Sequence, residues 1–268
     1  MPDKLPREFT LSGLREGRSN VTVITGSGID VESGLPSFRG EKGYYEDKET
    51  VYLASVDALN SEPIRQWRWY LKRFVSYHAI PPAASHFSLA ELEAEIGEKF
   101  NGIVTQNISG LHRKAGSQKV FEIHGCIREM RNLKTGERRP LPQSWVESPP
   151  EDEELCGWRP HVCFIGESYD DYPLPESVSA CSSCDILLVI GTAGVIHLSP
   201  YTHLRAHETS LHLACRLLLE KKKKKKFSTS FIFIQSHPPI TLLFVSRFLL
   251  LLSMSHLTLT HPPHPPTP

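Results

Sequence analysis

The residues that could do chemistry begin at a glycine turn. Val21 to Thr25 is a β-branched, apolar run, Gly26-Ser27-Gly28 breaks it, and Ile29-Asp30-Val31-Glu32-Ser33 can start a helix. Strand, glycine turn and helix is the layout of a nucleotide site. Glycines let the backbone approach a pyrophosphate, and the first N–H groups of the following helix attract its charge. No lysine follows the turn as a phosphate-binding P-loop requires, and Val31 stands where a GxGxxG fingerprint needs its third glycine. A hydride-transfer dinucleotide site is therefore a poor match. Further along, His124 carries an imidazole that titrates near neutrality, and Gln106-Asn107 are amides that donate and accept without adding charge. Taken alone, His124 reads as a core histidine at a strand end and Asn107 as a turn former. Tyr70 and Arg73 share a helix face, where a hydroxyl and a guanidinium can reach one anion, although YxxR is commonplace in an amphipathic helix rich in Trp, Tyr and Arg.

The elements that must position these residues are short. Asn60-Ser61-Glu62-Pro63 predicts a helix start with a cap and an early proline, with Trp67, Tyr70, Leu71 and Phe74 on one face. Ser88-Leu89-Ala90-Glu91 predicts a capping box opening a second helix, whose buried stripe is Leu89, Leu92 and Ile96. Strand candidates are Val21 to Thr25, Gly102 to Thr105, Val120 to Ile123, His161 to Phe164 and Ile186 to Ile190. Apolar strands alternating with helices predict an α/β fold, a doubly wound parallel, Rossmann-like sheet with helices on both faces. A chain of 268 residues, 40% hydrophobic, holds one large domain or one domain plus a small module. Its formal charge of zero argues against a nucleic-acid partner. Six irregularly spaced cysteines do not make a secreted disulfide framework, so an intracellular, reducing compartment is expected, with mitochondrial, cytoplasmic and nuclear sites left open. Residues 1–20 mix acidic with basic side chains and contain no apolar segment, so neither a secretory signal nor a transit peptide is expected there.

The residues after the glycine turn narrow the reading. Glu32-Ser33-Gly34-Leu35-Pro36-Ser37-Phe38-Arg39-Gly40 resembles the ESGIPxFRG signature of the sirtuins, NAD-dependent protein deacylases. Further matches recur in the family's order: Thr105-Gln106-Asn107-Ile108, Leu111-His112 with Lys114-Ala115-Gly116, Ile123-His124-Gly125, Arg159-Pro160-His161-Val162 with Gly166-Glu167, and Leu188-Val189-Ile190-Gly191-Thr192. The resemblance runs from about Val21 to Val195. It implies a sirtuin-like domain over 21–200, preceded by an N-terminal extension over 1–20.

It also implies an NAD-dependent protein-lysine deacylase that releases nicotinamide and transfers the acyl group to ADP-ribose, with acylated lysines of proteins as its partners. In the family the acyl-lysine oxygen attacks the ribose carbon bearing nicotinamide, and a histidine takes a proton from a ribose hydroxyl. The resemblance places that base on His124, with Asn107 also catalytic. Gln106 and Asn107 would hydrogen-bond ribose hydroxyls and the attacked centre. Phe38 and Arg39 would lie over the nicotinamide ribose, and Gly26, Ser27, Gly28, Ile108, Ser109, Gly191 and Thr192 would complete the cofactor site. Read without the family, Phe38 is a surface-loop anchor. Val162, Gly166 and Glu167 fall on the substrate side, as do Ala54, Tyr70 and Arg73. In the class III branch an alanine enlarges the acyl pocket, and a YxxR pair binds the carboxylate of succinyl, malonyl or glutaryl lysine, so an acidic-acyl preference is expected. The rival is a binding module that keeps an acyl-lysine or NAD-fragment pocket and does no chemistry.

The departures from the family pattern are specific. Ser109 stands for the aspartate that orients the nicotinamide carboxamide, Ser27 for an alanine, and Asp30 for a serine. Near bound phosphates, Asp30 is repulsive unless a partner offsets it. The family's zinc module needs two cysteine pairs, but Asn132 and Thr135 stand where the first belongs, Cys126 directly follows Gly125, and Cys156 alone survives of the second. Cys181-Ser182-Ser183-Cys184 is a CxxC outside that module, so zinc is not expected and 131–154 reads as an exposed, flexible insert. After Val195 the family pattern stops. Tyr201 to Thr209 resembles a translated sequencing adapter and Lys221 to Lys226 a translated poly-A run, so 201–268 is expected to be an artefactual or disordered tail without strands matched to the core. The lysine run as a basic patch and Ile240 to Met254 as a membrane anchor are alternatives; the latter falls short of the ~20 residues of a spanning helix and contains Arg247, so no membrane partner is expected.

Overall fold

The computed structural model describes residues 19–37 and 47–192, together with the backbone of 230–234. Phe38 and Arg39, the lysine run and the apolar stretch from Ile240 to Met254 lie outside the described residues. Among the described residues no helix is long and apolar enough to cross a membrane.

Five parallel strands form the main sheet: β1 (Val21–Thr25), β2 (Phe100–Thr105), β3 (Val120–Glu122), β7 (Ile186–Ile190) and β8 (Ser230–Ile234), in the order β3-β2-β1-β7-β8. β1 is central, which is why all of its residues are buried and why its sequence is apolar or β-branched without polar alternation. Its register is unbroken against β7, from Val21 opposite Ile186 to Thr25 opposite Ile190. Val21 and Val23 face one side with Ile103, Leu188 and the stripe Leu89, Leu92 and Ile96 of helix α4 (Ala84–Ile96). Ile24, Val104, Leu187 and Val189 face the other with Cys181 of helix α7 (Leu174–Ser183) and Cys184 just beyond it. Helices therefore cover both faces, as the alternating pattern requires. Helix α4 begins earlier than the capping box at Ser88 suggests: it opens after Ala83, whose N–H donates to Nδ1 of His86 at 3.2 Å.

The strand Ser230–Ile234 corrects the expectation that nothing beyond residue 201 pairs with the core, since it lies parallel to β7 from Ser230 opposite Ile186 to Ile234 opposite Ile190. Its sequence, SFIFI, is aromatic and β-branched, the composition that fits a pleated edge.

The second unit is a small antiparallel sheet of β4 (Gly125–Asn132), β5 (Arg138–Pro140) and β6 (Trp158–Val162), ordered β5-β4-β6. The run expected as a strand from His161 to Phe164 thus starts earlier and belongs here, not to the parallel sheet. This sheet packs on helix α3 (Pro63–Ala79), which follows α1 (Lys48–Leu53) and α2 (Val56–Ser61) and buries Trp67, Tyr70, Leu71 and Phe74 as its spacing predicts. Pro63 takes the first helical position, where its missing N–H costs nothing. Residues 131–154 are not a loose insert. They carry β5, a 3-10 turn over Gln143–Val146 and the start of α6 (Asp152–Leu155), and this stretch with the end of α6 sends Leu141, Trp145 and Leu155 into the core. Trp145 meets Trp67 edge to face at 6.4 Å. Most charges of the segment are exposed, so composition alone masks its two apolar anchors, Leu141 and Trp145.

Candidate active site

The strand order turns at β1: the chain runs outward through β2 and β3 on one side and through β7 on the other. In a doubly wound sheet such a reversal opens a crevice at the carboxyl ends of the strands. The segments after β1, β2 and β7 meet there.

The glycines make that meeting close. Gly26 N–H donates to Ile190 O at 3.1 Å and Gly28 N–H to Gly191 O at 2.8 Å. A Cβ on Gly26 would sit 2.7 Å from Thr192 Cβ, and one on Gly191, whose φ is +63°, would come 2.8 Å from the carbonyl carbon of Gly28. These two N–H groups are therefore engaged by the end of β7 rather than pointed at a ligand, a difference from the phosphate-cradle expectation. The glycines serve first to let two strand ends touch, and Ser27 begins the 3-10 helix Ser27–Ser33 directly above that contact.

Gln106 links the second edge. Its N–H donates to Thr25 O at 3.1 Å, its carbonyl accepts from Nδ1 of His124 at 2.8 Å, and its Oε1 accepts from Thr192 Oγ1 at 3.3 Å. Its Nε2 is buried with no hydrogen-bond partner, an orphaned donor. Asn107 is buried and donates from Nδ2 to Gly26 O at 3.0 Å. Ile108 is buried and its carbonyl takes the N–H of Ile127 at 2.9 Å, which ties this loop to β4. Ser109 is buried too, its Oγ accepting from Leu111 N–H at 3.4 Å at the start of α5 (Leu111–Lys114).

His124 stands between β3 and β4. Because Nδ1 faces a carbonyl, it must carry the proton, which leaves Nε2 as the lone pair, 3.1 Å from the Tyr169 hydroxyl. Burial lowers its pKa and the bond to Gln106 partly opposes that, so the ring is neutral at neutral pH. Gly125 follows with φ +75°, and a Cβ there would run into His161 O and come 2.9 Å from Tyr172 Cε1.

Asp30 does not confront the crevice as an unpaired charge. It is 4% exposed and its Oδ1 lies 3.0 Å from Nε2 of His86, which is fully buried. Since Nδ1 of His86 accepts from Ala83 N–H, Nε2 carries the proton and donates to Asp30. His112 packs on His86 at 4.9 Å and shares a hydrogen bond with Thr25 Oγ1 at 2.9 Å. Burial first, then His86, pushes the pKa of His112 down to about 3. The motifs in the sequence do not single out His86, yet a signal is there: position 86 continues the apolar stripe of Leu89, Leu92 and Ile96, and a histidine on such a stripe needs a polar partner.

On the substrate side, Ala54 caps α1, and its carbonyl accepts from Ile165 N–H at 2.8 Å. Tyr70 is buried against Phe164 at 5.6 Å, and burial raises its pKa far above the ordinary phenol value. Arg73 lays its guanidinium over Trp69 at 4.0 Å. Val162 pairs with Gly125, and Gly166 has φ +95°. Glu167 accepts from Arg159 at 2.6 and 2.7 Å, from Arg131 at 3.1 Å and from the N–H of Phe164 at 2.9 Å. Arg131 also pairs with Asp171. The resemblance puts Glu167 on the substrate side, and the structure places its carboxylate inside this arginine cluster.

The small sheet offers no zinc centre. No group of three or more His, Cys, Asp or Glu side chains that could hold a metal occurs among the described residues. Asn132 Oδ1 instead accepts the N–H groups of Lys134 and Thr135, closing the hairpin from within. These donors do not fit the four-sulfur centre implied by the resemblance.

Fold and site together define a doubly wound α/β protein whose segments after β1, β2 and β7 meet at the switch point, with a neutral histidine beside them. The chain belongs to the Sir2 family, whose profile matches residues 26–198. It is 36% identical over 190 residues to an NAD-dependent protein deacylase of Leptospira interrogans, covering 70% of this chain and 76% of that one. It is 39% identical over 194 residues to NAD-dependent protein deacylase 2 of Pyrobaculum aerophilum, covering 72% and 77%. A solved complex of a mutant Sir2 homologue with ADP-ribose superposes with a TM-score of 0.65 at 26% identity, covering 83% of this chain and 82% of that one.

Proposed function

We propose that this chain is an NAD-dependent protein-lysine deacylase, with His124 as its base and a preference for acidic acyl groups. The observation that carries the reading is the Gln106 carbonyl on Nδ1 of His124, which leaves Nε2 basic at the edge of the crevice. The residues present fit the cofactor at one point: the orphaned Nε2 of Gln106 is a donor without an acceptor, where the segments after β1, β2 and β7 meet. When bound, NAD supplies the electrophilic ribose carbon from which nicotinamide departs and the ADP-ribose that accepts the acyl group.

The chain's own residues supply the rest. Gly26, Ser27, Gly28, Gly191 and Thr192 would border the cofactor, Gln106 and Asn107 would hydrogen-bond ribose hydroxyls, and His124 would take a proton at Nε2. A neutral imidazole can do so, and burial keeps it neutral. Ala54, Tyr70 and Arg73 support the acidic-acyl preference by their types. Small, hydroxyl and guanidinium side chains suit a long acyl group ending in a carboxylate, and Arg73 is already desolvated on one face by Trp69.

One observation favours a second reading, an inert module that binds acyl-lysine or an NAD fragment. Ser109 offers an uncharged hydroxyl, directed at Leu111 N–H, where the family carries a carboxylate. Mass-spectrometric detection of O-acyl-ADP-ribose from succinyl and acetyl peptides separates the two. His124→Ala should abolish product while peptide binding persists, and Arg73→Met should lower desuccinylation at least about tenfold more than deacetylation, the scale of one charge-assisted hydrogen bond. Peptide binding without turnover in the unaltered protein would establish the inert module instead.

A further inference from the structure

The hydroxyl of Tyr169 meets the very nitrogen of His124 at which the proton is to be taken. We propose that Tyr169 is a positioning residue: its hydroxyl holds His124 in the proton-accepting tautomer and yields Nε2 to a ribose hydroxyl when the crevice fills. This rests on the reading of His124 as the base.

Gln106 O can only accept, so Nδ1 of His124 donates, and the neutral ring presents a bare Nε2. The Tyr169 hydroxyl, 3.1 Å away, must then donate to it. A phenol O–H at that distance makes the contact that an incoming ribose O–H would make, so the two are mutually exclusive at one lone pair. The two rings lie 5.8 Å apart at 40°, close enough for the contact and without full stacking.

The surroundings fit a side chain held in place yet able to leave. Tyr169 is half-buried, whereas its neighbour Tyr172 is buried, stacks on His161 at 5.1 Å and meets Tyr169 edge-on at 6.4 Å. A turn joins them, Tyr172 N–H donating to Tyr169 O at 3.0 Å. The loop is pinned at Glu167 and Tyr172, on either side of Tyr169, so turning that side chain about its own bonds would leave both pins in place. Of the charged groups on this loop, Glu167 is engaged by Arg159 and Arg131, Asp171 by Arg131, and Asp170 accepts from Ser168 Oγ. Cys163 meets His124 through its backbone N–H, at 2.9 Å from the carbonyl. Tyr169 is thus the group through which this loop reaches Nε2.

A hydroxyl donating to neutral imidazole favours the neutral form in the ligand-free protein. Tyr169→Phe removes the donor and keeps the ring. The titration of His124 followed by NMR in the ligand-free variant should move to higher pH. The acid limb of kcat/KM, which reports free enzyme, should move the same way, and KM for NAD should fall about two- to tenfold with a smaller change in kcat, the span of one neutral hydrogen bond. Tyr169→Leu, lacking ring and hydroxyl, should shift His124 in the same direction. An unshifted His124 titration in both variants, or a loss confined to kcat at every pH, overturns the proposal. Retained turnover in His124→Ala overturns instead the reading on which it rests, and the NMR titration tells the two failures apart because it needs no turnover.

Discussion

Removing the carboxylate of Glu167 tests whether the small sheet is held by its arginine cluster. Arg159 is 3% exposed and lies over the Phe164 ring at 3.9 Å, so its charge is almost wholly taken from water. Its fork meets both oxygens of Glu167, at 2.6 and 2.7 Å. In Glu167→Ala it keeps only two backbone carbonyls, of Pro160 at 3.2 Å and Val162 at 2.6 Å, and the Phe164 N–H loses its acceptor. Breaking a buried pair from one side costs about 3–5 kcal/mol. The surviving carbonyls put the expected loss near the lower end, about 3 kcal/mol, against a total of roughly 5–15 kcal/mol for a domain. Urea unfolding followed by tryptophan fluorescence reads this directly, since Trp67 and Trp145 lie in the same core. With a slope of about 1–3 kcal/mol/M, the midpoint should fall by roughly 1–3 M. Glu167→Gln, which keeps an acceptor oxygen, should lose less. A chelator should leave the midpoint of the unaltered protein where it was, because among the described residues no set of metal donors assembles. A loss below about 1 kcal/mol, the value of an exposed pair, together with a selective loss of turnover, would show that Glu167 serves substrate and would refute the structural argument. Chelator-sensitive unfolding with stoichiometric zinc would refute the rest of it.

Acid should loosen the fold before it protonates most carboxylates. His112 is held down at about 3 by burial and His86, and His161 at about 4 by burial and then Arg138 and the other nearby arginines, against an ordinary value of 6.5. The unfolded chain binds these protons first, so stability is complete above about 6.5 and falls as pH drops toward 4 and then 3; a midpoint independent of pH over that window would contradict the burial of both rings. Gly191→Ala should cost roughly 2–4 kcal/mol and abolish NAD-dependent turnover, because its positive φ coincides with backbone contact to Gly28. Gly34→Ala, at φ +91° with nothing within 4 Å, should cost only about 1 kcal/mol, and equal losses at the two positions would remove the packing argument.

The parallel core is legible because its strands are short apolar runs between turn residues: Val21–Thr25 and Ile186–Ile190 are strands at those bounds. The antiparallel sheet is not. In β4, Gly125 to Asn132, polar and apolar residues do not alternate cleanly, since the strand is buried at Gly125, Cys126, Ile127 and Met130 and half-buried elsewhere. Residues 131–154 mislead by composition, because Leu141 and Trp145 are single anchors among charges and prolines. At the site, the sequence order of motifs points to Gln106, Asn107 and His124, which the fold brings together. Tyr169 carries no local signal. Its bond to His124 spans 45 positions and exists only through the packing of one loop on another. Asp30 is recognisable as a charge needing an answer, but its partner, His86, is the polar member of a helix's buried stripe and belongs to none of the motifs.

Gln106 acts as a datum for the whole crevice. Three of its groups fix three separate chain segments: its N–H locates the end of β1, its carbonyl sets the ring of His124, and its side-chain oxygen receives Thr192 after β7. Parts positioned from a common reference do not accumulate one another's errors. If β2 shifts slightly within the sheet, the histidine and the floor of the crevice shift with it, and the spacing between them is kept. A site assembled from segments far apart in the chain can in this way hold close relations without a rigid covalent frame. The same arrangement transmits disturbance as faithfully as it transmits order, so a change at the Gly26–Thr192 contact is felt at the imidazole through one residue.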